Sequence, residues 1–270
     1  MKARLPALAA LALPVLAGAG WMWLGGAPEH FAPFNLAVFA VALLWAAFGR
    51  VPPNIRIQRI ATAVLLALMF LPLLTGPTLN SSSGVPVSRW LPLGPVSLNT
   101  GLFAIPALAV LAARENNLAA PILLTAIFAA MLQPDAGAGF ALTLAAVGLH
   151  HVTKDWRVGL TAILGFFATL VMVVRGKLPA LPFVERVVVE AFAANPWAAL
   201  ALALALLASF LLMLFAAPLE RAARFALAGS LFGFVAMAAM AAYPSPLIGY
   251  GGASILGFGL ALGLIRKPAP

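Results

Sequence analysis

Long apolar runs separated by short polar connectors form the dominant pattern of this sequence. Runs rich in Ala, Leu and Val reach about 15 to 22 residues, close to the roughly 20 that a helix needs to cross a hydrocarbon core of about 30 Å. The polar–apolar alternation of lipid-facing strands is not seen. The pattern predicts ten spans: 5–25, 33–49, 60–75, 98–113, 118–133, 137–152, 158–174, 197–216, 225–243 and 250–265.

These spans predict an all-α fold, a polytopic membrane bundle of about ten transmembrane helices in which residues 1–270 form a single integral membrane domain. The fourth span is interrupted by Pro106, and the fifth and sixth are short enough to form a hairpin that does not fully cross. The first span follows Lys2 and Arg4 as a signal peptide does. Its length favours a helix that is retained.

Composition supports a membrane protein. The chain is 64% hydrophobic and 9% charged, with a mean hydropathy of +1.07, whereas a soluble domain carries roughly 25% charged residues. These values exclude a water-soluble fold. The net charge of +9 comes from 16 Lys and Arg residues dispersed between apolar runs, which indicates topology signals and a lipid bilayer as partner, with no nucleic acid. There is no cysteine, so disulfides and thiolate metal sites are excluded.

The basic residues concentrate in alternate connectors. Basic residues in short loops favour the cytoplasmic side of a membrane. This bias predicts a multi-pass protein of the bacterial inner membrane with both termini in the cytoplasm. Twelve basic residues are then cytoplasmic (Lys2, Arg4, Arg50, Arg56, Arg59, Arg114, Lys154, Arg157, Arg221, Arg224, Arg266 and Lys267) and four are external (Arg89, Arg175, Lys177 and Arg186).

Polar residues near the external ends of the spans are candidates for ligand contact. Asp135 has two interpretations: a carboxylate that caps the sixth helix, or a contact to a substrate or ion. Arg89 and Trp90, in the first long external connector, either anchor the adjacent helix at headgroup level or bind a phosphate through the guanidinium fork. Loops carry function more often than the spans that hold them.

The second long external connector, 175–195, contains the acids Glu185 and Glu190. Their spacing favours a solvated surface helix and leaves a paired acid–base site as the alternative. The adjacent His150 and His151 stand at a helix end, and no spacing of histidines and carboxylates is typical of a metal site. We therefore expect no metal and no cofactor.

Three separated stretches resemble the SEDS family, the FtsW, RodA and SpoVE group of cell-shape and cell-division proteins. Residues 84–98, GVPVSRWLPLGPVSL, resemble the family's GxxRWxxLGxxSxQPSE. Residues 132–139, LQPDAGAG, resemble QPDxGT, and residues 246–256, PLIGYGGASIL, resemble PxxSYGGSSLL at the start of the last helix. The three occur in the family's order, and the ten-helix topology agrees with its fold.

The resemblance implies glycan polymerisation from lipid II in the outer leaflet, beside a single-pass class B penicillin-binding protein. It implies one substrate cleft for a polyprenyl-linked glycan precursor. The substrate-binding candidates on the matching stretches are Arg89, Trp90, Asp135, Tyr250, Gly251, Gly252 and Ser254. The resemblance thus implies that the ligand of this cleft is a precursor of peptidoglycan, the cell-wall polymer.

Two departures from the family concern its chemistry. The family's QPSE, followed shortly by lysine, is replaced by Asn99-Thr100-Gly101-Leu102, so its glutamate and lysine are lost. The family's catalytic aspartate lies in the connector after the seventh span, where this chain has no aspartate. Asp135, Glu185 and Glu190 remain as catalytic candidates. A missing general base typically lowers a rate by about 100-fold to 10,000-fold.

Two functions from different classes follow. The first is a SEDS-like protein that binds a lipid II-like substrate, with polymerase activity that is reduced or lost. The second is a non-catalytic membrane scaffold or accessory subunit that holds a partner. A transporter, which needs polar groups at the membrane midplane or inverted repeats of broken helices, is the least favoured class.

Overall fold

The computed structural model describes residues 2–94 and 96–265, in which helices dominate. Arg266 and Lys267, predicted as cytoplasmic, lie outside the described residues. The helices are α1 (Leu5–Leu24), α2 (Phe31–Phe48), α3 (Ile55–Phe70), α4 (Pro72–Thr75), α5 (Thr100–Ala112), α6 (Ala119–Leu132), α7 (Ala136–Thr153), α8 (Trp156–Arg175), α9 (Val187–Ala194), α10 (Pro196–Leu211), α11 (Arg221–Met240) and α12 (Gly252–Gly263). A 3₁₀ turn, Lys2–Arg4, precedes α1, and a π-helical turn, Leu212–Ala216, extends α10.

Each of the ten predicted spans coincides with a helix, so the predicted fold class is confirmed. Seven helical segments in the described part of the chain are long and apolar enough to cross a membrane. The other three, α5, α6 and α12, have 13, 14 and 12 residues. The interruption expected at Pro106 is not seen, since α5 runs through it. Short helices were expected for the fifth and sixth spans; the fifth, α6, is short, but the sixth, α7, has 18 residues. α5 is almost entirely buried, and buried helices need not match the bilayer thickness because protein surrounds their ends.

Glycines allow close contact between the central helices. A Cβ added to Gly229 of α11 would lie 2.2 Å from the Leu144 carbonyl oxygen of α7, and one added to Gly148 would lie 2.3 Å from the Phe225 carbonyl oxygen. Small residues let membrane helices approach until their backbones touch. The close packing of α7 against α11 therefore depends on these two positions.

Ion pairs and a hydrogen bond connect several segments at one end of the bundle, which we call the basic end. Arg59 Nε lies 2.8 Å from Glu115 Oε1, and Arg114 Nε lies 3.1 Å from Glu220 Oε2. Arg157 donates to the Asn116 carbonyl at 3.3 Å. These contacts link the chain near the α2–α3, α5–α6, α7–α8 and α10–α11 connections. The larger set of basic residues lies at this end of the bundle.

The long connectors meet at the opposite end, which we call the cleft end. The first connector forms two antiparallel hairpins, β1 (Leu79–Asn80) with β2 (Pro86–Val87) and β3 (Trp90–Leu93) with β4 (Val96–Asn99). The second forms the short helix α9, which includes Glu190; Glu185 precedes the helix and is buried, so the predicted solvated surface helix does not hold for it. Backbone hydrogen bonds link the connectors: Ser82 donates to the Lys177 carbonyl at 3.0 Å, and Arg186 donates to the Tyr243 carbonyl at 3.3 Å.

Candidate functional site

A cavity of about 350 Å³ opens at the cleft end, and we call it the cleft. All of its lining comes from connectors and from the first turns of α5 and α12. The lining residues are Pro77, Leu79, Trp90, Ser97, Asn99, Leu102, Leu181, Val184, Glu185, Pro244, Ser245, Gly249, Tyr250, Gly251, Gly252, Ala253 and Ser254. The first and third resembling stretches thus meet at one cavity, together with an acid of the second connector.

Arg89 lies beside the cleft and is only 2% exposed. Its Nη2 donates to the carbonyl oxygens of Pro134 and Gly176, both at 2.5 Å. The guanidinium also lies 5.5 Å from the Tyr243 ring centroid and 5.9 Å from that of Trp90. Arg89 therefore ties together three chain segments that are far apart in sequence. This buried position differs from the headgroup-level anchor considered from sequence.

Asp135 is fully buried at the start of α7. Its Oδ1 accepts from the Ala138 amide at 2.9 Å, as the capping interpretation predicted, and also from the Tyr243 hydroxyl. Its Oδ2 has no hydrogen-bond partner in the described part of the structure. A Cβ added to Gly101 would lie 3.2 Å from that oxygen. The carboxylate thus lies behind the cleft wall, and its role in substrate contact stays a prediction.

Glu185 lines the cleft and is 8% exposed. Its carboxylate accepts from the Leu181 amide. Burial raises the pKa of Glu185 above its ordinary value, and the Leu181 hydrogen bond and the positive charge of Arg89 oppose that rise only in part. A carboxyl with a raised pKa in a cavity is a candidate for proton transfer.

Glu190 has a different environment. It lies in the first turn of α9, and its Oε2 accepts from the Phe183 amide at 2.9 Å. It borders a shallow depression of about 330 Å³ that Glu185 also borders, but it does not line the cleft. The structure therefore separates the two acids, which sequence spacing did not distinguish.

Two asparagines of the site were missed in the sequence. Asn35 of α2 is fully buried; its Nδ2 donates to the Gly249 carbonyl at 2.9 Å, and its Oδ1 accepts from the Gly251 amide at 3.1 Å. Asn99 caps α5 by accepting from the Leu102 amide at 2.9 Å and lines the cleft. A polar residue in an apolar span is costly in lipid, so Asn35 was detectable from its position within span 33–49.

Aromatic contacts support the third resembling stretch. The Tyr250 ring stacks on Phe31 with centroids 3.7 Å apart and an interplanar angle of 8°. Gly251, the next residue, has a φ of +140°, a backbone conformation that favours glycine. The Ser254 hydroxyl accepts from the Leu247 amide at 3.0 Å. The stretch is thus held from α2 and from within itself.

An apolar groove of about 250 Å³ adjoins the cleft between α9, α10 and α11, and we call it the cleft-side groove. Leu206, Leu207 and Val235 are among its lining residues. Ser245 borders both the groove and the cleft. The cleft has the more polar lining of the two, and adjoining cavities that differ in this way suit a ligand with a polar head and an apolar chain.

Within residues 2–94 and 96–265 the geometry does not support a metal site. No group of three or more His, Asp or Glu side chains there is close enough to hold an ion. A site without metal or cofactor stays an expectation.

The helices of the fold define a multi-pass membrane protein. Over 94% of the chain the structure matches a solved structure of the Thermus thermophilus rod shape determining protein RodA, with a TM-score of 0.63, 18% identity and 93% of that chain covered. That structure is of a substituted form; the unsubstituted protein matches with a TM-score of 0.62, 18% identity and coverage of 94% and 92%. The resemblance predicted from the three stretches is confirmed at the level of the fold. No protein-family model and no curated protein match this sequence.

Proposed function

We propose that this chain is a SEDS-like protein of the bacterial inner membrane that binds a polyprenyl-linked, lipid II-like glycan precursor, with slow or absent polymerase activity. The observation that carries the proposal is the common wall at Ser245 between the polar cleft and the cleft-side groove. Such a pair of cavities matches the two halves of a lipid-linked sugar. The three stretches that resemble the SEDS family imply the same class of substrate, and the fold shared with RodA agrees with that resemblance.

In this proposal the glycan head occupies the cleft. Asn99 and Ser97 supply hydrogen bonds to sugar hydroxyls, and Trp90 and Tyr250 supply aromatic surface. The polyprenyl chain lies along the cleft-side groove. Arg89 attracts the diphosphate through its charge, since its Nη2 is already engaged by two backbone carbonyls. Gly251, Gly252 and Ser254 line a part of the cleft wall that is formed largely by main-chain atoms.

Glu185 is the proposed proton acceptor, ahead of Asp135 and Glu190, because it is the acid that lines the cleft. A general base must lie within hydrogen-bond reach of the proton that it removes. The hydrogen bond from the Leu181 amide engages one Glu185 oxygen and lowers its basicity, which opposes the rise of its pKa by burial. This engaged oxygen, and the absence of an aspartate in the second connector, support activity that is slow or lost.

The test separates binding from polymerisation. Purified protein is incubated with fluorescent lipid II, with retention and polymer length measured on the same sample. We expect retained lipid II, with little or no polymer, and any polymer lost in Glu185→Gln while binding remains. Glu29→Gln, an exposed acid in the α1–α2 connector, is the matched control and should change neither. Failure of the wild-type protein to retain lipid II would overturn the proposal.

The membrane orientation is part of the proposal. Because the chain contains no cysteine, single cysteines at the exposed positions Ser83 and Arg56 report the two ends separately. With both termini cytoplasmic, an impermeant maleimide should label Ser83→Cys in intact spheroplasts and label Arg56→Cys only after lysis. The opposite result would invert the orientation.

A scaffold function is the second candidate, and one observation favours it: the cleft-side groove is apolar and lies between α10 and α11, where a single transmembrane helix of a partner fits. A class B penicillin-binding protein is the partner that the resemblance to the SEDS family implies. Near-stoichiometric co-purification that is lost in Leu207→Trp, with no lipid II retained by the wild-type protein, would favour the scaffold over the enzyme.

A further inference from the structure

A second apolar groove lies at the basic end, between α7, α10 and α11, and we call it the basic-side groove. It has a volume of about 400 Å³ and is bordered by Val147, Gly148, Phe210, Leu214, Phe225 and Gly229, among others. None of these residues takes part in the cleft. The groove faces outward from the bundle, since Val147 is 47% exposed.

Backbone features explain why the groove exists at this place. Gly148 and Gly229 let α7 and α11 pack backbone to backbone, so these two positions give the floor of the groove no side chain. Leu214 lies in the π-helical turn that extends α10, and such turns are frequent at functional sites. The Phe210 and Phe232 rings, 5.9 Å apart, border both this groove and the cleft-side groove and mark the boundary between them.

Positive charge stands at the mouth of the basic-side groove. His151 borders the groove and stacks on Phe225, with centroids 5.3 Å apart and an interplanar angle of 14°. The Arg221 guanidinium lies 5.6 Å from the centroid of the same ring. Both side chains are exposed, and Arg221 makes no ion pair within the described ranges. Arg221 is also the first residue of α11, where a positive charge does not stabilise a helix.

We propose that the basic-side groove is a binding site for an anionic phospholipid of the adjacent leaflet. One acyl chain lies against Val147, Phe210 and Leu214, and the phosphate lies at Arg221 and His151. The guanidinium fork matches the geometry of phosphate oxygens. Basic pockets between transmembrane helices bind anionic headgroups in this manner. The site shares Phe210 and Phe232 with the cleft-side groove, but none of its lining residues borders the cleft.

The experiment compares two lipids on the delipidated full-length protein in neutral detergent, followed by native mass spectrometry. Phosphatidylglycerol and phosphatidylcholine with identical chains serve as probes. We expect phosphatidylglycerol to bind at least about five-fold more tightly, the factor that one basic contact contributes near a membrane surface. Equal binding of the two lipids by the wild-type protein would overturn the proposal.

Two variants and one control test whether the lipid binds at the basic-side groove. Arg221→Gln should bring phosphatidylglycerol binding down to the phosphatidylcholine level, and Val147→Trp, which fills the groove, should weaken both lipids. Arg56→Gln is the matched control, because it removes an exposed positive charge from the same end, away from the groove. Equal losses in Arg56→Gln and Arg221→Gln would show general charge attraction and would also overturn the proposal.

Discussion

The two ends of the bundle differ in how far their polar groups are buried. At the cleft end Arg89, Asp135 and Asn35 are 2%, 0% and 0% exposed. Arg89 and Asn35 donate to carbonyls of other segments, and Asp135 accepts from the Ala138 amide of its own helix and from the Tyr243 hydroxyl. At the basic end the Arg114 side chain is 1% exposed, but that of Arg59 is 54% exposed where it pairs with Glu115. Buried polar groups are expensive unless satisfied, whereas ion pairs with an exposed partner contribute less. Substitutions of buried polar residues at the cleft end should therefore cost more stability than substitution of Arg59.

The largest expected effect is at Arg89. Arg89→Ala leaves the Pro134 and Gly176 carbonyls without their donor in a buried site. Since an unsatisfied buried group costs about 1–3 kcal/mol, we expect a loss of about 2–5 kcal/mol of stability. Thermal unfolding in detergent measures it. Arg175→Ala, an exposed arginine at the same end, is the control; equal shifts in both variants would contradict the difference between buried and exposed charge.

A smaller loss is expected at Asn35. Asn35→Ala removes the two hydrogen bonds that hold Gly249 and Gly251, which contribute about 1 kcal/mol each, so stability should fall by about 2 kcal/mol. Fluorescence of a probe bound in the cleft should fall with it, because the glycine turn forms part of the wall. Thr75→Ala, which removes an exposed hydroxyl near the cleft end, should leave both readouts unchanged.

A pH-dependent effect is expected at Glu185. Its pKa is raised in the folded protein, mainly by burial, so the folded state binds its proton more tightly than the unfolded state does. The stabilisation is complete below the ordinary pKa of 4.5 and is lost as the pH rises through the raised value. Glu185→Gln should flatten this fall in melting temperature. A profile identical to that of the wild type would show that Glu185 is not the titrating group.

The smallest effect is expected at the basic end. Arg59→Gln breaks the pair with Glu115, in which Arg59 is exposed to solvent while the Glu115 side chain is 8% exposed. The melting temperature should fall by much less than in Arg89→Ala at about 0.15 M salt, because solvent and salt screen the exposed partner. A shift comparable to that of Arg89→Ala would mean that the two ends do not differ in how they use charge.

Much of the fold was predictable from the sequence. Hydropathy located all ten helices, since each span is a local property of about 20 residues. The basic residues of alternate connectors fall at one end because each crossing reverses the chain. The cleft was predictable only in part: the stretches that resemble the SEDS family indicated Trp90, Tyr250 and the glycines, but not Asn99 or Ser245.

The sequence by itself determined the ten apolar spans and the fold class, because those follow from runs of adjacent residues. Tertiary structure alone decided that Arg89 and Asp135 lie behind the cleft wall, and that Glu185 lines the cleft while Glu190 does not. The physical reason is that Arg89 meets its acceptors 45 and 87 residues away. The direction of such a side chain depends on how several connectors pack together. A local sequence pattern contains no information about that packing.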